Sequence, residues 1–212
     1  MATAWWQRLP SEQRQEYERS AALGLTPLRA LDNPDAGPAA IAGLDAAMAS
    51  RDRSLTEAAC ARISDLLCVA AGAPRVRIRV AGRRPAEARG ELHGLYQPAG
   101  MAGATALITL WMRTAQREDV VKTRTFLRTL LHELVHHFDM TCLALPNSYH
   151  TKGFYRRESH LLRALGDKKP TPRTSAGSPR NNTATEPTQE EGMAALRAVL
   201  SRLRQRSSTD NH

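Results

Sequence analysis

The sequence predicts an α+β domain in which a small, mostly antiparallel sheet of three or more strands packs on one long helix and its flanking helices. Three stretches carry that expectation. Residues 74–82, PRVRIRVAG, alternate Val76, Ile78 and Val80 with Arg75, Arg77 and Arg79, a period of two that turns one strand face inward and the other to water. LHGLYQ at 92–97 and ATALITLWM at 104–112 are separated by the Pro and Gly containing turn PAGMAGA, so they read as a hairpin. From about Asp119 to Met140 the apolar residues recur at helical spacing.

The remaining elements follow in chain order. WWQRLPSEQRQEYERSAALGL reads as an N-terminal helix, with Ser11 after Pro10 as its N-cap, Gly24 as its terminator, and Trp5 and Trp6 packing on the main body. LDNPDAGPAA is turn-rich. A second helical pattern runs from Leu55 to Ala71, with Leu55, Ala59, Ile63, Leu66 and Leu67 on one side, and Gly72 and Pro74 stop it. After the long helix, the loop LALPNSYHTKG leads into a last core helix, FYRRESHLLRALG, ended by Gly166 and Pro170. Residues 168–189 shift to Pro, Thr, Ser, Asn and Gly and read as a flexible linker. The tail EEGMAALRAVLSRLRQR regains helical spacing through Met193, Leu196, Val199, Leu200 and Leu203. The expected organisation is an N-terminal helical segment over 1–50, a main domain over 51–167, a linker over 168–189 and a basic amphipathic helix over 190–212.

Composition bounds the function classes. At 212 residues, 42% hydrophobic and 24% charged, the chain is expected to bury a real core, which excludes wholesale disorder. Cys60, Cys68 and Cys142 are odd in number and form no CxxC pair, so neither a disulfide framework nor a cysteine zinc ribbon is indicated, and a reducing interior fits best. The N-terminus lacks a signal-peptide pattern, and no apolar run approaches the roughly 20 residues of a membrane span. We therefore expect a cytoplasmic protein without a membrane partner. The excess of 30 Lys plus Arg over 21 Asp plus Glu, +9 in all, favours approach to polyanions such as nucleic acid without naming one.

The stretch LLHELVHHFD, 130–139, places His132, Glu133, His136 and His137 in an apolar run. At about 100° per residue, Phe126, Leu127, Leu130, Leu131, Leu134, Val135 and Phe138 share one arc, while His132 and His136 stack one turn apart on roughly the opposite side. Two imidazoles at i and i+4 can direct nitrogens at one ion at about 2.0 to 2.1 Å, half of a tetrahedral zinc site. Glu133 stands beside the first of them, completing HExxH, the zinc hydrolase signature in which the glutamate is general base. A core helix with hydrogen-bonded histidines is the competing reading, but five of the seven histidines lie between positions 132 and 160. A catalytic zinc needs a third protein ligand. His150, in a turn-rich segment before a helix, leads; Glu158 and His160 on the following helix are alternatives. His137 is offset from the ligand face and suits a supporting hydrogen bond.

From LHGLYQ through ITLWMRT and LLHELVHHFD to HTKGFYRR, the chain resembles the SprT-like zinc metallopeptidases, the group that includes the spartan proteases of DNA-protein crosslink repair. The resemblance spans roughly residues 55–166 and rests on HExxH followed by His150, Thr151, Lys152, Gly153 and Phe154. It implies a small zincin-like fold, a Zn2+ ion held by His132, His136 and His150, Glu133 as base, and a protein or peptide substrate. The chain departs from the family in having Thr and Lys after His150 where a Gly is common, and in lacking the cysteine zinc ribbon.

Supporting roles are assigned with their alternatives. The strand ALITLWMRT is a candidate sheet edge for an extended peptide, or a core strand with Trp111 buried. Tyr149 and Tyr155 flank His150 and can stabilise an oxyanion or simply pack. Asp139 can accept a ligand N–H. Arg75, Arg77, Arg79, Arg83, Arg84, Arg156, Arg157, Lys168 and Lys169 form either a phosphate-contacting surface for DNA or a solvated basic face. The expected function is a zinc-dependent metalloendopeptidase; the alternative is a basic nucleic-acid or protein-binding module with a structural or catalytically silent zinc site.

Overall fold

The computed structural model describes residues 4–83, 86–87, 90–91, 93–113 and 119–166. The expected linker 168–189 and C-terminal helix 190–212 lie outside these residues, as do Arg84, Lys168 and Lys169. A short 3-10 turn, Trp5–Arg8, precedes α1 (Ser11–Ala22), α2 (Ala36–Ser50) and α3 (Arg53–Ala71). Strands β1 (Arg77–Arg83), β2 (Ala86–Glu87), β3 (Gly90–Glu91), β4 (Gly94–Gln97) and β5 (Leu107–Arg113) follow, then α4 (Thr123–Cys142) and α5 (Lys152–Ala164). Among the described residues this is an α+β arrangement of five α-helices and a small three-stranded sheet.

The sheet is mixed, which corrects the mostly antiparallel expectation. Its order is β1-β5-β4. β5 pairs parallel with β1, Ile78 opposite Ile108 and Val80 opposite Leu110, and antiparallel with β4, Tyr96 opposite Ile108. The β4–β5 hairpin is as the sequence suggests, its turn held by Gly100 N–H donating to the Gly103 carbonyl at 2.7 Å. Both glycines have positive φ, 88° and 101°, which is where a side chain would be strained. Because β5 is central, Ile108 through Met112 are buried in succession, the pattern of a strand flanked on both sides. β5 is therefore no free edge, and Trp111 is buried; β1 and β4 are the two edges.

The turn-rich reading of residues 31–40 is also corrected, since α2 begins at Ala36. Pro38 falls in the first turn, where its missing N–H would have no intrahelical partner anyway. Gly37 is required because a Cβ there would lie 2.6 Å from the Leu165 carbonyl oxygen. In α3, Ala59, Ile63 and Leu67 face the core as expected, but Leu55 is exposed and Thr56 turns inward. Asp52 caps that helix by accepting from Leu55 N–H at 2.9 Å, and Gly72 ends it in the left-handed conformation.

One core runs through all of this: Leu44 and Met48 of α2, Ile63 and Leu67 of α3, Ile108 and Leu110 of β5, and the whole apolar arc of α4 are buried together. At the N-terminus, Pro10 rather than Ser11 precedes the first turn of α1, and the helix ends at Ala22, before Gly24. Trp6 stacks on Tyr17 with centroids 5.1 Å apart, and Trp5 meets Tyr17 edge-on at 5.6 Å and Tyr149 at 6.3 Å. Among the described residues, no helix is long and apolar enough to cross a membrane.

Candidate metal centre

The 3.6-residue period of α4 separates its residues into the two faces expected. Phe126, Leu127, Leu130, Leu131, Leu134, Val135 and Phe138 are all buried. His132 and His136 lie on another side, half-buried, with ring centroids 5.0 Å apart. His150, from the α4–α5 connection, brings its ring within 4.7 Å of His132 and 5.0 Å of His136. One nitrogen from each of the three falls within 4.8 Å of the others, and among the described residues this is the group of His, Cys, Asp or Glu side chains able to hold a metal ion.

The connection that carries His150 is fixed by α1. Glu16 accepts from the Asn147 backbone N–H at 2.8 Å and from its side-chain amide at 2.6 Å. Arg19 donates to the Ala144 carbonyl, and Ser20 Oγ shares a 3.1 Å hydrogen bond with Thr151 Oγ1. Thr151 in turn caps α5 by accepting from Phe154 N–H, so α5 begins at Lys152, two residues before the sequence pattern suggests. Phe154 is the floor of the site. Its ring lies 4.8, 4.8 and 4.7 Å from those of His132, His136 and His150, close enough to exclude water from beneath all three.

A buried polar chain fixes the orientation of His136. Its Nδ1 is 2.8 Å from Ser148 Oγ, and Ser148 donates to Asp139 Oδ2 at 2.9 Å. Asp139 is ion-paired with Arg157, whose Nη2 donates to Oδ2 at 2.8 Å while Nε lies 2.8 Å from Oδ1. Ser148 has one proton and spends it on a carboxylate that can only accept, so its lone pair receives the Nδ1–H of His136. The lone pair of His136 Nε2 then points into the cluster, where His150 Nε2 stands 3.0 Å away. Asp139 thus supports a site histidine through Ser148 rather than directly. Arg157, assigned by sequence to a basic surface, is instead fully buried, where it also donates to the Ser20 and Leu23 carbonyls at the end of α1. Arg75, Arg77, Arg79, Arg83 and Arg156 are exposed.

The other candidates are placed elsewhere. Glu158 accepts from Arg128 at 3.2 Å and faces His132 Nδ1 at 3.6 Å, so it supports that ring from behind. Burial works to raise its carboxyl, but hydrogen bonding and attraction from His132 and Arg128 hold its pKa below the ordinary value. His160 Nδ1 accepts from Thr26 N–H at 3.2 Å. His137 is buried, bridging Tyr96 hydroxyl at 3.2 Å and the Pro74 carbonyl at 2.8 Å, a structural role. Tyr149 is buried and aims its hydroxyl at Gln13, whereas Tyr155 is exposed with its ring 6.2 Å from that of His150.

Glu133 is buried beside the cluster, and desolvation raises its pKa to about 6 against the pull of His132 and a hydrogen bond from the Tyr96 backbone. Burial pushes His150 down to about 4, helped by the neighbouring His132 charge, and His136 well below the ordinary imidazole value. Both rings are therefore neutral with lone pairs to give. The edge strand meets this carboxylate at Gly94, where a Cβ would lie 2.5 Å from Glu133 Oε1 and 2.8 Å from Thr129 Cγ2. Sequence reasoning missed Gly94, Phe154 as floor, and the Ser148–Asp139–Arg157 chain; the only signal for them was proximity to HExxH and His150. Comparison with protein-family models, curated proteins and solved structures found no match to this chain.

Proposed function

We propose that this chain is a zinc-dependent endopeptidase of SprT-like type in which His132, His136 and His150 hold the metal and Glu133 is the general base. The observation that carries the proposal is the pair of Nε2 atoms of His136 and His150 at 3.0 Å. Two nitrogens sharing one tetrahedral ion at about 2.0–2.1 Å lie roughly 3.3 Å apart, close to the observed separation, at which the two rings share a hydrogen bond or, with both lone pairs turned inward, hold a cation between them. Three imidazoles with a carboxylate alongside fit zinc. When bound there, zinc supplies a Lewis acid that polarises a scissile carbonyl and acidifies water.

Every other step falls to the protein's own groups. Glu133, with its pKa raised to about 6, accepts a proton from the attacking water near neutral pH and delivers it to the leaving amine. β4, with one ladder side unpaired in the sheet order and Gly94 against Glu133, receives an extended peptide by strand addition. Phe154 closes the floor beneath the three rings and Glu133 is buried, which strengthens the electrostatic interactions on that side. Tyr155 stands on the rim, where a phenol can steady an oxyanion. DNA-associated proteins are a candidate substrate class, resting on the exposed arginines of β1.

The test is Glu133→Gln in the full chain, with zinc measured by elemental mass spectrometry and cleavage measured on an unfolded protein. Stoichiometric zinc with cleavage reduced about 10²–10⁴-fold is the expected result. A zinc-loaded wild type that cleaves no protein, with or without DNA, would move the chain to the class of binding modules with a silent metal site.

A further inference from the structure

α1 docks on the domain through polar groups. Its two buried residues are Glu16 and Ser20, and Gln13, Glu16 and Ser20 lie within about 60° of one another around the helix. All three meet the α4–α5 connection. The Tyr149 hydroxyl points at Gln13, both Glu16 oxygens accept from Asn147, and Ser20 Oγ bonds Thr151 Oγ1 at 3.1 Å. The aromatic contact of Tyr17 with Tyr149, at 5.7 Å between centroids, falls on the same connection. A carboxylate leaves water at a cost unless its oxygens are satisfied, so apolar burial does not explain a helix docked in this way. What its polar face holds does explain it.

The connection is strained where it carries the site. Ala144 and Ser148 have φ of 51° and 41°, the left-handed region that residues with a Cβ rarely occupy, and such backbone persists only where its surroundings over-determine it. α1 supplies those surroundings. Arg19 donates to the Ala144 carbonyl, and Glu16 grips Asn147, the residue before Ser148. Ser148 then sets its hydroxyl 2.8 Å from His136 Nδ1, and two residues later His150 brings Nε2 to 3.0 Å from that of His136.

We propose that Glu16 is the positioning residue of the third metal donor, which makes α1 a part of the metal centre. The proposal rests on the reading of His132, His136 and His150 as the metal ligands. Reach rather than charge is what the role demands, because one side chain spans two donors of Asn147, its backbone N–H at 2.8 Å and its amide at 2.6 Å. Glutamine has the same length and keeps both contacts once Asn147 turns its own amide over. Aspartate keeps the charge but is one methylene shorter. Loss of the grip lets residues 147–149 relax toward ordinary backbone angles, which draws His150 out of the cluster while His132 and His136 stay on α4.

The test uses the full chain and two readouts, zinc affinity by competition with a chromogenic chelator and the visible spectrum of the Co2+ form. Glu16→Asp is expected to lower affinity about 10–100-fold and to weaken the absorption bands of four-coordinate Co2+, with circular dichroism unchanged. Glu16→Gln should stay close to wild type in both. Asn147→Ala, which removes the 2.6 Å contact at an exposed residue, is expected to shift affinity and spectrum in the same direction as Glu16→Asp. In a His150→Ala background, where two donors remain, Glu16→Asp should change the remaining affinity little, since no third donor is left to position. Wild-type affinity in Glu16→Asp or Asn147→Ala, or an equal loss with and without His150, overturns the proposal and leaves α1 as packing. A wild-type chain that takes up no zinc overturns the metal reading itself and this proposal with it.

Discussion

Gly94 of the edge strand lies so close to Glu133 that a single added carbon would sit 2.5 Å from the carboxylate oxygen. This contact joins the surface proposed to bind peptide to the group proposed to move the proton. Gly94→Ala is therefore expected to displace the Glu133 side chain and to overpack its surroundings at a cost of about 1–3 kcal/mol, while leaving the three histidines in place. Zinc content should stay stoichiometric and protein cleavage should fall at least about tenfold. Full activity in the alanine variant would show that Glu133 has room to spare.

The assignment of the third donor is open to direct measurement. His150→Ala should lose zinc during dialysis against a weak chelator, whereas Glu158→Gln, which only loosens support behind His132, should retain it. Retention in the His150 variant would sink the assignment. Acid sensitivity gives an independent check, because burial holds His150 at about 4 and His136 well below 6.5. Protons compete with the metal for these donors, so metal content followed by elemental mass spectrometry at graded pH should hold to a lower pH than donors of ordinary imidazole pKa would allow. Release centred on the ordinary imidazole value would mean the rings are not desolvated as described.

Ser148 and Arg157 act on the site at one remove. Ser148→Ala removes the acceptor that fixes the His136 tautomer, and a loss of metal affinity of about 10–100-fold is expected with little change in folding. Arg157→Met leaves Asp139 buried without its partner and costs about 3–5 kcal/mol, read as a lower urea midpoint. Equal stability losses in the two variants would contradict this division between orientation and core.

Glu133 and His150 tilt the pH dependence of metal-free stability in opposite directions. The folded pKa of Glu133, about 6, exceeds its ordinary value of 4.5, so its favourable contribution is complete below 4.5 and is lost as pH rises through about 6. His150, depressed to about 4 from 6.5, contributes fully above 6.5 and loses that contribution as pH falls. Glu133→Gln should therefore gain on the wild type by about 2 kcal/mol in all as pH rises from well below 4.5 to well above 6 in chelator-treated protein. A gap between the two urea curves that does not change with pH would show that Glu133 titrates normally.

Local periodicity made much of the molecule legible in advance. The helical angle alone separates the buried arc of α4 from His132 and His136, and strict alternation marks β1, because both patterns repeat within a few residues. Residues 36–40 were misread for the same reason: AGPAA looks like a turn until Leu165 is seen against Gly37. The basic-surface reading of Arg157 failed likewise, since its partner Asp139 lies on another helix.

By itself, then, the sequence determined the α+β class, the HExxH pair and its adjacent carboxylate, each set by spacing along a single element. Only the tertiary structure decided that His150 rather than Glu158 or His160 joins that pair, that β5 is central with β1 and β4 as its edges, and that Phe154 lies beneath all three rings. Those outcomes depend on contacts between α1, the α4–α5 connection and the sheet, which bring together residues far apart in the chain and leave no period for a sequence to display.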